Sequence, residues 1–405
     1  MKKVIIGMLT MAAILSFQSC NNDDDTPTPD VNVEEQLKKE VVENYANIVY
    51  TNYKDSYDLA QVLQGNIETF LATPTASNFN MVKQAWYDAR EPYGQTEAFR
   101  FAGGPIDTGE DSVEGMLNAW PLDESFIDYV SHSGESNVNI INNVSDYPVI
   151  SKEVLREVNE STETSISLGY HAIEFLLWGQ DTQIPTQGPE HTTGGNRPYT
   201  DFVDGGTATH QDRRRQYLQV ATELLIEDLK YLVDEWDVNG NNYRADFISQ
   251  DVDKSISQML AGIGVLAGSE LSEERILVAV SKTSQEDEHS CFSDNTHRDI
   301  ITNYMGIENV FMGTYKSVDG TVVSGSSISD LLKMKDEAKL SEMVNSMQTI
   351  ENEIESTTIP FDYAITQASD VAKFNLIVNE LRDLGADFAA ISNTIADGVY
   401  VAPEG

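Results

Sequence analysis

Residues 34–71 read EEQLKKEVVENYANIVYTNYKDSYDLAQVLQGNIETFL, and this stretch decides the fold. Leu37, Val41, Tyr45, Ile48, Val49, Tyr53 and Leu59 recur at spacings of three, four and their sums. Residues three and four apart share one face of a helix, so the pattern predicts a single long amphipathic helix. Pro74 ends it.

The same period continues downstream. A second helix is expected from Asn78 through Trp86, Tyr87 and Tyr93 towards Phe101, stopped by Gly103-Gly104-Pro105. Shorter pieces over 112–147 are interrupted by Pro121 and bounded by Pro148. A strongly apolar helix covers 164–178, and a Gly/Pro-rich loop fills 179–210, a length that marks a functional loop. Residues 211–236 are helical again, with Leu218, Leu225, Leu229 and Leu232 on one side. The turn Asn239-Gly240-Asn241-Asn242 is the expected boundary, followed by helices over 252–282, 298–316, 328–356 and 361–396. No alternation is long enough for a sheet strand. The expected class is all-α, two packed helical bundles over 34–238 and 239–405 joined across a long central loop.

The N-terminus reads as an export signal. Met1-Lys2-Lys3 is positive, residues 4–17 are mainly apolar, and the small Ser19 precedes Cys20. The apolar run is too short to span a bilayer, so 1–19 is expected to be a signal peptide and Cys20 the lipid acceptor of a lipoprotein. The polar, acidic, proline-bearing stretch 20–33 then serves as a tether. The implied location is the cell envelope of a Gram-negative bacterium, at the periplasmic side or surface of the outer membrane, with the membrane itself as a partner through the lipid.

Composition narrows the function. The formal charge is −40, and loss of Lys2 and Lys3 with the signal takes it to −42, which excludes nucleic acid as a partner. Cys20 and Cys291 are the two cysteines, so neither a disulfide framework nor a cysteine-based zinc motif is available. Gly262-Ile263-Gly264-Val265-Leu266-Ala267 fits a dinucleotide fingerprint but lies inside a helical pattern with no strand before it, and so reads as a close helix contact. HExxH, GxSxG and P-loop patterns do not occur.

Three segments carry chemistry. In LGYHAIEFLLW, residues 168–178, His171 and Glu174 are the ionisable groups in an otherwise apolar helix. Burying them costs several kcal/mol unless they are paired or coordinated. Three residues apart they share a face; they either ligate one metal ion or hydrogen-bond each other as a structural pair. In WYDAREPYGQTEAFRFAGGPID, residues 86–107, Arg90, Glu97 and Arg100 fall on one stripe and Asp107 follows the break. In EDEHSCFSDNTHRD, residues 286–299, two histidines and five carboxylates crowd between helices, with Glu288, His289 and Ser290 together and Asp294 placed to cap the next helix.

GYHAIE, its FLLWGQD continuation, and the other two blocks in order resemble the imelysin-like proteins, whose signature is GxHxxE. The resemblance spans nearly all of the chain after the tether. It implies a two-domain helical fold with a site in the cleft between the domains, a link to iron uptake, and a peptidase label. The related helical domain of EfeO-type iron-uptake proteins implies a metal site built from HxxE and carboxylates. His171 and Glu174 match the first part and Glu97 the second glutamate of that group's Glu-x-x-Glu, whose first position is Gly94 here; Asp107 matches a further acidic ligand. Arg90, Glu97, Arg100, Glu288, His289, Ser290 and Asp294 then line a ligand cleft.

Three functions follow as expectations. The first is an envelope lipoprotein capturing iron, or an iron-bearing ligand, with a receptor or permease of iron uptake as partner. The second is a structural lipoprotein whose His–Glu pair only fixes the fold. The third is a metallopeptidase with iron or zinc on His171, Glu174 and Glu97 or Asp107, and Glu288 or His289 as base.

Overall fold

The computed structural model describes residues 32–109, 112–130, 139–162, 164–183, 188–189 and 193–396. The expected signal peptide, Cys20 and the tether up to residue 31 lie outside them.

The first long helix, α1, is Val33–Ala72, its first turn capped by the Asn32 side chain, which accepts from Glu34 N at 3.2 Å. Val41, Tyr45, Ile48, Val49 and Tyr53 are all buried on it, and it packs on α2 (Ala76–Thr96) and α7 (Gln211–Glu235). Pro92 stands inside α2, and its carbonyl accepts from the Asn52 amide at 2.8 Å. A 3-10 turn, Glu97–Phe99, closes α2 short of Phe101. Between α2 and α7 come α3 (Glu114–Leu117), α4 (Glu124–Ile127), α5 (Lys152–Val158) and α6 (Gly169–Trp178).

The second half starts with α8 (Tyr243–Ser249), a short helix that the sequence pattern does not announce. Then α9 (Val252–Val265) runs through π-helical turns, Leu266–Leu277, into α10 (Val278–Lys282), a continuous rod over the expected span. A Cβ at Gly262 would stand 2.9 Å from the carbonyls of Ala98 and Arg100. That glycine thus lets the rod approach the 3-10 turn carrying Glu97, as a close-contact reading requires. α11 is Thr296–Met312, followed by α12 (Ile328–Lys335), α13 (Glu337–Glu355), α14 (Phe361–Ala364) and α15 (Ala368–Ile395).

Three expected helices are shorter or split. The expected helix over 298–316 ends at Met312 because Gly313 takes φ 66, and Thr314–Lys316 (β1) pairs antiparallel with Val322–Ser324 (β2) around an Asp319-Gly320 turn. The hairpin is held from α1, since Asp55 accepts from Tyr315 Oη (2.8 Å), Ser317 Oγ (2.9 Å) and Val318 N (3.0 Å). Asp336 splits 328–356, accepting from Lys339 N as the N-cap of α13. Residues 365–367 split 361–396.

The fold is all-α apart from this hairpin among the described residues. Buried apolar side chains from Val41 to Ala396 form one cluster, and α2 packs on α11 as α1 does on α9, so the stretches on either side of residue 239 share a core. No described helix is long and apolar enough to cross a membrane.

Candidate functional site

Every residue of α6 is buried. Leu168 is extended and Gly169 takes φ 81, which starts the helix here rather than at residue 164. A Cβ on Gly169 would lie 2.4 Å from the Leu117 carbonyl oxygen, so the first glycine of the motif is required by both conformation and space. His171 and Glu174, 1% and 0% exposed, face each other, with Nδ1 2.9 Å from Oε2. The other oxygen of Glu174 accepts from Ser293 N (2.9 Å) and Ser293 Oγ (2.7 Å).

The loop before α11 brings the second histidine. His289 Nε2 lies 3.3 Å from His171 Nε2, and the rings meet edge to face at 4.6 Å. His289 Nδ1 is 2.9 Å from Asp299 Oδ2, which also accepts from Ser290 Oγ. The other oxygen of Asp299 accepts from Arg90 Nη2 at 2.8 Å, and Arg90 is surrounded by the rings of Trp86, Tyr93 and Tyr170. A line of buried polar groups therefore runs Glu174–His171–His289–Asp299–Arg90.

Burial sets the protonation along this line. Desolvation, reinforced by the negative Asp299, pushes the Glu174 carboxyl up to about 8. Desolvation and nearby arginines push both imidazoles down to about 3, so both are neutral. Burial opposes the charge on Asp299, yet Arg90 and His289 hold its carboxyl well below the usual range. Protonated Glu174 can donate to His171 Nδ1, His171 Nε2–H to His289 Nε2, and His289 Nδ1–H to ionised Asp299. Both imidazoles and the Glu174 and Asp299 carboxyls are then satisfied.

A second knot lies beside it. Glu97, 1% exposed, accepts from Arg275 Nη2 (2.6 Å), Arg100 Nη1 (3.1 Å) and Asn118 Nδ2 (3.2 Å). Burial raises a carboxyl, but Arg275 and Arg100 overcome it and hold Glu97 at about 2. Asp107 accepts from Phe101 N at 2.6 Å and lies 3.4 Å from Arg100 Nε. Asn118 also bonds Arg90 Nη1 (2.6 Å) and approaches His289 Nε2 (3.5 Å), linking the two knots. A cavity of about 330 Å³ opens here, reaching His289 and walled by Asn118 and Trp120; Glu114, Glu160, Glu270 and Glu274 line it against Arg100 and Arg275.

The sequence-derived residues thus divide. His171 and Glu174 touch, His289 meets His171 directly, and Ser290 and Arg90 join His289 through Asp299. Glu97, Arg100 and Asp107 belong to the neighbouring knot, where every carboxylate oxygen of Glu97 is engaged by an arginine or Asn118. Glu174 orients His171 and does not stand beside it as an equal ligand. Glu288 lies behind, its backbone carbonyl accepting from Trp120 Nε1 at 2.9 Å. Asp294 does not cap α11: the N-cap is Asn295, without a side-chain cap bond, and Asp294 takes φ 57. Asn118, Arg275, Ser293 and Asp299 were not singled out by sequence. Ser293 and Asp299 stand in the acidic segment 286–299, whereas Arg275 and Asn118 carry no local signal.

The histidine pair supplies two nitrogens at the spacing that two ligands of a transition metal take. Two imidazole nitrogens on one tetrahedral ion with bonds of about 2.0–2.1 Å stand about 3.3 Å apart, the separation found between His171 and His289. A carboxylate on the far nitrogen of each ring is the orientation that metal-bound histidines adopt.

The imelysin family profile matches residues 49–388. Iron-regulated protein A of Synechococcus elongatus is 25% identical over 275 residues, 66% of this chain, and the match spans 62% of that relative's length. A crystal structure of a proposed iron-regulated protein A precursor from Parabacteroides distasonis is similar with a TM-score of 0.66 at 18% identity, over 89% of this chain and 96% of that one. An imelysin-like protein from Psychrobacter arcticum is similar with a TM-score of 0.60 at 12% identity, over 89% and 95%. At such identities the two structures speak to the fold alone. The profile covers most of the chain, including the GYHAIE motif of α6, and this protein belongs to the imelysin family.

Proposed function

We propose that this protein is an envelope lipoprotein that binds a transition-metal cation, iron foremost, between His171 and His289. The observation that carries the reading is the 3.3 Å separation of the two Nε2 atoms, each ring being held at Nδ1 by a carboxylate. Imidazole suits iron and zinc. The adjoining cavity, with four carboxylates against two guanidiniums, favours a cation over an anionic ligand. The name of the Synechococcus relative, iron-regulated protein A, agrees with a role in iron supply. Lipid on Cys20 would hold the protein at the outer membrane, where a receptor or permease of iron uptake is the partner.

One observation favours a second reading, a structural one. With Glu174 protonated, the polar line is complete without any ion. Thermal unfolding separates the two. Ferrous or zinc ion should raise the melting temperature of the wild type and leave His171→Ala and His289→Ala unmoved. A wild type unresponsive to both ions supports the structural reading.

A further inference from the structure

Several buried carboxylates in this fold come with a guanidinium. Asp128 has Arg197 and Arg214, Glu97 has Arg275 and Arg100, and Asp299 has Arg90. A group of three aspartates has no arginine or lysine partner among the described residues. Oxygens of Asp181, Asp294 and Asp362 all lie within 4.8 Å of one another. Asp181 follows α6, Asp294 sits in the loop before α11, and Asp362 is on α14, so three distant segments each bring one carboxylate to the same spot. The donors that reach them are neutral: Gln183 N and the Gln285 amide on Asp181, and Tyr363 N on Asp362.

A second observation points into the group. Asp362 and Glu288 are each 1% exposed. Yet Asp362 Oδ2, Asp294 Oδ2 and both carboxylate oxygens of Glu288 have no hydrogen-bond partner. Burial and the negative Asp362 and Asp294 push the Glu288 carboxyl up, so Glu288 lies within electrostatic reach of the cluster. Native folds rarely leave buried oxygens without a partner unless something else fills that role.

We propose that Asp181, Asp294 and Asp362, with Glu288 beside them, form a calcium site. An all-oxygen donor set selects a hard cation. Calcium accepts six to eight oxygens in adaptable geometry, which carboxylates brought from separate segments can supply, whereas magnesium demands a near-ideal octahedron and keeps several waters. Desolvation, with repulsion from Asp362 and Asp181, pushes Asp294 up to about 8, so the cation-free group holds protons near neutrality. The ion would tie the end of α6 and the loop bearing His289 to the C-terminal segment. Ser293, next to Asp294, holds Glu174, so the calcium site buttresses the histidine pair while sharing no residue with it.

The test is calcium titration of the chelator-stripped full chain, read by melting temperature and by calorimetry. One equivalent should bind, and calcium at about 100-fold over Kd should raise the melting temperature by about 3–8 °C. Asp362→Asn and Asp181→Asn should abolish that rise while melting no lower than the calcium-free wild type, since repulsion is relieved; His171→Ala should keep it. A wild type without heat or shift at millimolar calcium overturns the proposal, as does an Asp362→Asn protein that responds like the wild type. Failure here leaves the iron reading standing, because its readout is the His171 and His289 variants.

Discussion

Nε2 of His171 lies 3.3 Å from Nε2 of His289, one histidine on α6 and the other in the loop before α11. Two unprotonated imidazole nitrogens repel at that distance, so a proton or a cation must stand between them. Which of the two it is depends on Glu174. A protonated Glu174 donates to His171 and leaves a proton on the Nε2 side. An ionised Glu174 accepts from His171 and leaves Nε2 free for a metal.

That relationship gives a pH prediction. The folded Glu174 carboxyl stands at about 8 against an ordinary value of 4.5. Between these values the folded chain holds a proton that the unfolded chain has lost, so this group's contribution to stability falls as pH rises from about 4.5 to 8, by on the order of 5 kcal/mol. Glu174→Gln mimics the protonated carboxyl. In chelator, denaturant unfolding should show the variant matching the wild type near pH 5 and exceeding it near pH 8–9. Parallel pH profiles would show that Glu174 does not carry this proton.

Glu97 neutralises two arginines in the neighbouring knot, and Arg275 is only 2% exposed. Glu97→Ala leaves that guanidinium with Glu270 at 3.1 Å as its remaining carboxylate. The expected cost is about 3–5 kcal/mol, the range for breaking a buried pair. Asp107→Ala, at a site 18% exposed on its side chain, should cost about 1 kcal/mol. Equal effects in urea unfolding would contradict the difference in burial.

Much of this was legible in the sequence, for identifiable reasons. The stripe Leu37 to Leu59 fixed α1 because helix period is local. His171 and Glu174 stood out as the charges of an apolar run, and their spacing of three makes contact automatic. The hairpin was not legible, since three-residue strands cannot establish an alternation and Asp55, which anchors them, lies on α1. Nor was the meeting of His171 with His289, where the loop before α11 reaches α6, or of Glu97 with Arg275, where the π-helical rod meets the end of α2; no local pattern encodes either. Asp294 precedes a helix and so resembles a cap, but the N-cap is Asn295, and Asp294, at φ 57, keeps an oxygen without a partner.

The proposed lipid anchor at Cys20 predicts a change that leaves folding intact. Cys20 lies before the first described residue, outside the cluster that begins at Val41. Cys20→Ser should move the protein from the membrane to the soluble fraction with an unchanged melting temperature. A variant still in the membrane pellet after carbonate washing would contradict lipid attachment at this residue.

The most direct measurement is X-ray absorption at the zinc edge on protein carrying one equivalent of zinc, with calcium in excess to fill the carboxylate group. The wild type should show two imidazole nitrogens at about 2.0–2.1 Å, and His289→Ala should lose one of them or fail to load. An oxygen-only shell, or an imidazole signal unchanged in both His171→Ala and His289→Ala, would contradict metal binding between these histidines and leave the pair a structural one.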